Sequence, residues 1–180
     1  WKGVYRRHTH FAIESIENTF SGSVGDGAST SCTISRNADL LSAIHLEIGV
    51  TATDAVANAG YTAVESAEVQ IGGQTIDKQY GHWMQAWDDL TLPAEKVEGY
   101  NIMIGSSLTD DGGVESDGKY TLYVPLKFWF CRHPGSAIPL VALQFHEVRV
   151  KVTFGTLTNA SITGAKLYAD YVYLDEEERQ

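Results

Sequence analysis

The sequence predicts an all-β protein, about eight antiparallel strands stacked as a two-sheet sandwich, with one short helix in a long insert between strands. Three observations carry this. Period-two alternation rich in Val, Ile, Tyr and Phe recurs along the whole chain, as expected of strands with one face buried and one wet. Clusters of Gly, Asn, Asp and Ser separate the alternating runs and supply turn residues. At 180 residues and 43% hydrophobic the chain can fill one sizeable core, and no repeat, linker or low-complexity tract divides it, so one domain over 1–180 is expected.

The elements follow in chain order. Weak alternation marks strands at 11 to 20 and 29 to 35. The run 44 to 50 is clear: Ile44, Leu46, Ile48 and Val50 point one way, His45, Glu47 and Gly49 the other. Runs 64 to 71 and 74 to 78 flank Gly72-Gly73, a pair free to take positive φ, which predicts a tight hairpin. Tyr80, Trp83, Trp87 and Leu90 then recur at helical spacing with Gln85, Asp88 and Asp89 opposite, which predicts a short amphipathic helix. From Pro93 to Lys119 the pattern fades into a Gly- and Asp-rich stretch, read as a surface excursion with a role of its own. Between Tyr120 and Phe130, Leu122, Val124, Leu126, Phe128 and Phe130 share one face and Tyr123, Lys127 and Trp129 the other. Pro125 there points to an edge or bulge. Run 146 to 154 places Val148, Val150, Val152 and Phe154 inward, and 166 to 174 closes the set.

Composition narrows the function classes. A formal net charge of -10 and a pI near 4.9 repel phosphate backbones and anionic lipid, and no Lys/Arg cluster offsets that field, so direct nucleic-acid binding and membrane insertion are not expected. No apolar run approaches the ~20 residues of a membrane-spanning helix, and no leader opens the chain. Cys32 and Cys131 are too few for a disulfide scaffold and read as two free buried thiols in a reducing compartment.

Several constellations imitate chemistry. His8-Thr9-His10 with Glu14 resembles the first metal motif of cupins, but the second block is missing: Pro134-Gly135 and a distant His146 come with no Asn at the right spacing, and Arg6 and Arg7 add positive charge. Cys131-Arg132-His133 sets a thiol near an imidazole with no orienting carboxylate. Asp110, Asp111, Glu115 and Asp117 lack the alternation and closing Glu of a calcium loop. Asn159-Ala160-Ser161 fits a glycosylation sequon. No catalytic residue, cofactor or metal is therefore expected. The candidate contacts are aromatic. Tyr80, Trp83 and Trp87 either dock their helix on its own sheet, as such stripes usually do, or meet a neighbouring molecule. Tyr123 and Trp129, on one strand face, would make a flat platform for sugar rings, the basis of an alternative reading as a carbohydrate-binding sandwich. A cupin-like metalloprotein is the weaker alternative.

Longer blocks carry a resemblance. Val4-Tyr5-Arg6-Arg7-His8-Thr9-His10-Phe11-Ala12 resembles the opening of the first jelly roll in major capsid proteins of nucleocytoplasmic large DNA viruses, the phycodnavirus and mimivirus-like group. Val69 to Asp77 is similar to that family's hairpin. Phe128-Trp129-Phe130-Cys131 with Ile138 to Val148 resembles its most recognisable block, and Asp170 to Asp175 with Glu177, Glu178 and Arg179 the exit of its first jelly roll. The resemblance implies an eight-stranded antiparallel jelly roll, the N-terminal half of a double jelly-roll protein whose second jelly roll is absent from these residues. It further implies a non-enzymatic shell protein of the virion, assembled in the host cytoplasm as homotrimers. Six similar units then make a pseudo-hexagonal capsomer that contacts neighbouring capsomers and minor capsid proteins and tiles an icosahedral shell over an internal membrane. Segments 51 to 61 and 93 to 119 would face outward.

Overall fold

The computed structural model of the chain describes residues 3, 10–108, 118–177 and 179. All eight expected runs form strands: β1 (Phe11–Asn18), β2 (Ser29–Thr33), β3 (Leu40–Ala52), β5 (Val64–Ile71), β6 (Gln74–Tyr80), β8 (Lys119–Pro125), β10 (Val148–Phe154) and β11 (Ala160–Leu174). Two-residue strands β4 (Val56–Ala57), β7 (Ser107–Leu108) and β9 (Ile138–Pro139) are additional.

The long strands make two antiparallel sheets, in the orders β1-β11-β3-β8 and β2-β10-β5-β6. Apart from the β5–β6 hairpin, every step from one long strand to the next crosses between sheets, so sequence neighbours lie on opposite layers and each sheet pairs strands remote in sequence. That is the nested order expected of a jelly roll. The side chains that alternate inward meet between the layers: Ile44, Leu46, Ile48 and Val50 from one sheet, Val148, Val150, Val152 and Phe154 from the other, all buried. Each such side chain contributes ~1.5–3 kcal/mol of transfer free energy, which is why register is held wherever this face is covered. In the hairpin, Gly72 and Gly73 both have positive φ, at 60° and 84°, as the two-residue turn requires.

Three expectations change. The run 120 to 130 is a strand only as far as Pro125. β8 is an edge strand, where a missing N–H costs the ladder little, and beyond it the chain turns away into a 3-10 turn at Trp129–Cys131. Leu126, Phe128 and Phe130 nevertheless remain buried, because the chain keeps feeding alternate side chains to the core after leaving the sheet. The described residues hold three helices rather than one: α1 (Ala59–Ala63), α2 (Gly81–Thr91) and α3 (Ala94–Ile104). α3 occupies the stretch in which the strand pattern fades, and its amphipathicity is weak because Val97 and Ile102 stay exposed. Finally, β1 alternates without burial. It lies at a sheet edge with Phe11 and Ile13 exposed, and only Asn18 at its end is buried.

Candidate contact surface

Tyr80 ends β6, and Gly81 opens α2. A Cβ at Gly81 would lie 2.1 Å from the Tyr61 carbonyl oxygen and 2.3 Å from that of Val64, so only glycine lets α2 sit this closely on α1 and the start of β5. That seat fixes the rotation of α2. Gly81, Met84 and Asp88 face inward; Tyr80 is 53% exposed, Trp83 40% and Leu90 85%. The expectation that the aromatic stripe docks the helix on its sheet is therefore reversed, as is the placement of Asp88 on the wet side.

Asp88 is buried because the fold satisfies it. Its Oδ2 accepts hydrogen bonds from the hydroxyls of Tyr61 (2.5 Å) and Tyr100 (2.7 Å), and its Oδ1 lies 2.9 Å from Lys127 Nζ. Lys127 also sits 5.2 Å from the Tyr100 ring centroid. Burial pushes the pKa of both tyrosines above the ordinary range, with the Asp88 carboxylate adding to it. Nothing local in the sequence joins these four residues. The usable signal was the inward spacing of Gly81, Met84 and Asp88, which a lone carboxylate disguised.

Outside, the Trp83 and Trp87 rings stack at 5.5 Å with an interplanar angle of 21°. The Arg132 guanidinium lies over both, 4.5 Å from the Trp87 centroid and 5.5 Å from that of Trp83. Beside this ridge is an open cleft of about 230 Å³, lined by residues 77–80 of β6 (Lys78 among them), Trp83 of α2, and Trp129 and Arg132. Trp129 thus joins the α2 aromatics and not Tyr123. It has left the strand and packs edge-on against Phe130 at 5.1 Å, while Tyr123 stays on β8 opposite Glu47. The flat Tyr123–Trp129 platform does not form.

The remaining motifs fall apart in space. Glu14 accepts a hydrogen bond from the Tyr173 hydroxyl (3.2 Å) and His10 is exposed, while His8 lies outside the described residues, as do Asp110, Asp111, Glu115 and Asp117. Among the described residues no three His, Cys, Asp or Glu side chains group as metal ligands. Cys32 and Cys131 are both free, the first buried and the second half-buried; burial pushes their thiols up to about 11 and about 12, the reverse of an activated nucleophile. His133 Nδ1 accepts from the Gly135 amide (2.9 Å). Asn159 occupies a left-handed turn residue (φ 63°) between β10 and β11, exposed.

Comparison with known proteins agrees with the jelly-roll order. Residues 1–175 match the family described as Major capsid protein N-terminus. The chain is 45% identical over 195 residues to the major capsid protein of Pyramimonas orientalis virus, covering all of this chain and 48% of that protein. It is 38% identical to the major capsid protein of Paramecium bursaria Chlorella virus 1, covering 99% of this chain and 44% of that one. A capsid structure of the latter virus superposes with a TM-score of 0.86 at 34% identity, over 99% of this chain and 46% of that chain. The Faustovirus major capsid protein shares the fold at a TM-score of 0.81 and 10% identity. The chain spans about half the length of the curated relatives it matches. By sequence and by fold, the chain belongs to the double jelly-roll major capsid proteins of nucleocytoplasmic large DNA viruses, a structural and non-enzymatic family, and corresponds to their N-terminal domain.

Proposed function

We propose that this chain is the first jelly roll of a shell-forming capsid protein of a large icosahedral double-stranded DNA virus, working as a homotrimer whose six similar jelly rolls make a pseudo-hexagonal capsomer. The observation that carries the proposal is the superposition on a capsid structure across 99% of the chain at 34% identity, with the strand order intact. Neighbouring capsomers and minor capsid proteins are its partners. The described residues of segments 51 to 61 and 93 to 119 face outward, 109–117 lying outside the described residues, and Tyr80, Trp83, Trp87 and Trp129, with Tyr123 apart from them, are its candidate surface contacts. The exposed Phe11 and Ile13 on edge strand β1 favour contacts beyond this chain, since apolar side chains grouped on an edge are otherwise a liability. The net charge of -10 favours partners other than nucleic acid, and two free cysteines suit assembly in the reducing host cytoplasm.

Light scattering of this chain alone and of the product of its whole reading frame tests the proposal. The whole product is expected at three times its monomer mass and the isolated chain at one. A whole product that stays monomeric at high concentration refutes the trimeric shell role.

A further inference from the structure

The cleft between β6, α2 and the turn after β8 combines features that a bare apolar patch lacks. Its walls carry three aromatic side chains, Tyr80, Trp83 and Trp129, of which the first two are well exposed. Its polar groups are of opposite kinds: the Asp77 carboxylate accepts, and the Arg132 fork donates. Arg132 spends Nε on the Lys127 carbonyl (3.3 Å) and lays its guanidinium over the two indoles. Lys78 also lines the cleft, and its charge is answered by Glu68 at 2.8 Å, which leaves Asp77 and Arg132 as the opposed charges there. Gln79 adds a fourth observation. It is 5% exposed, its Nε2 donates to the Lys127 carbonyl (2.7 Å) and to Asp77 (3.2 Å), and its Oε1 is a buried acceptor with no partner. Native folds seldom leave such a group unsatisfied.

We propose that this cleft binds one neutral pyranose ring of a glycan, stacked against Trp83 and Tyr80, with vicinal hydroxyls bridging Asp77 and Arg132 and a third hydroxyl donating to Gln79 Oε1. Aromatic faces take the apolar C–H side of a sugar ring, while a paired acceptor and donor suit a diol. A phosphate or an acidic peptide would meet Asp77, and a purely apolar segment would leave Asp77 and Gln79 unpaired. The volume is below that of sites for drug-sized ligands and suits a single ring. The proposal rests on the assignment of this ridge as a contact surface and is independent of the trimeric shell role. The same ring chemistry has two sources, a host-surface glycan and a glycan carried by a neighbouring subunit.

Saturation-transfer NMR and tryptophan fluorescence of the whole chain, against neutral hexoses, N-acetylhexosamines and their short oligomers, provide the test. Transfer to ring protons and a change in emission are expected. Trp83→Ala and Arg132→Ala should each weaken binding about tenfold, the size of one lost charge-assisted hydrogen bond or stacking contact, while Phe145→Ala, at a 92% exposed side chain outside the cleft lining, leaves it unchanged. Arg132→Lys keeps charge and fold but not the planar fork, and should weaken binding likewise. Preference for host-derived over virion-derived oligomers separates the two sources. Three results overturn the proposal: no transfer at about 10 mM, where even a weak site fills; transfer that the Trp83 and Arg132 variants leave intact; or burial of Trp83 by concentration-dependent association of the chain without sugar. None of these bears on the mass of the whole product, so the shell role stands or falls separately.

Discussion

Asp88 is a buried carboxylate that joins separate elements. Through Tyr61, Tyr100 and Lys127 it ties α2 to α1, to α3 and to the chain leaving β8, at 2.5 to 2.9 Å. Replacing it by alanine strands the Lys127 ammonium in a site where its side chain is only 18% exposed, and a broken buried pair costs roughly 3–5 kcal/mol. Asp88→Ala is therefore expected to lower the urea midpoint sharply with little change in slope. Alkaline pH probes the same cluster. Tyr61 and Tyr100 have folded pKa values above their ordinary 10.0, mainly through burial, and Cys32 and Cys131 are raised from 9.0 to about 11 and about 12 for the same reason. For each group the unfolded chain gives up its proton first, so the stabilisation is complete below the unfolded value and declines as pH rises through it toward the folded one. Melting temperature should thus be insensitive to these groups below about pH 9 and fall above it, and Tyr61→Phe should flatten the fall above about pH 10.

At the scale of elements, α2 shows how a helix can present its aromatic face to solvent. Close approach at Gly81 sets the rotation, and Met84 becomes the core residue in place of the tryptophans. Met84→Ala is expected to cost roughly 2–5 kcal/mol, while Leu90→Ala, at an 85% exposed position, stays within about 0.5 kcal/mol. Equal effects in denaturant unfolding would mean that α2 is rotated differently. α3 had boundary signals, with Pro93 before its first turn and Gly105 after its last. Its stripe was hard to read because apolar residues fall on both sides. The long strands were legible for the opposite reason: period-two alternation survives wherever one face is covered, and it continued past Pro125 even where the ladder stopped.

For the whole molecule, charge and layering dominate. A chain at -10 should not retard duplex DNA in a mobility-shift gel even at ~50 mM salt, where electrostatic binding is strongest. A clear shift would contradict the exclusion of direct nucleic-acid contact. The positions of all eight long strands, the inward faces of the 44 to 50, 120 to 130 and 146 to 154 runs, the Gly72-Gly73 hairpin and the family resemblance were determined by the sequence itself, because alternation and turn chemistry are properties of neighbouring residues. Tertiary structure alone decided which sheet each strand joins, that Trp129 meets Trp83 and not Tyr123, and that Asp88 lies inside while Trp83 is exposed and Trp87 half-buried. Those outcomes depend on partners such as Tyr61, Lys127 and Arg132, which reach the site from distant parts of the chain. A helix's own spacing describes its faces, but it carries no information about which face its neighbours can satisfy.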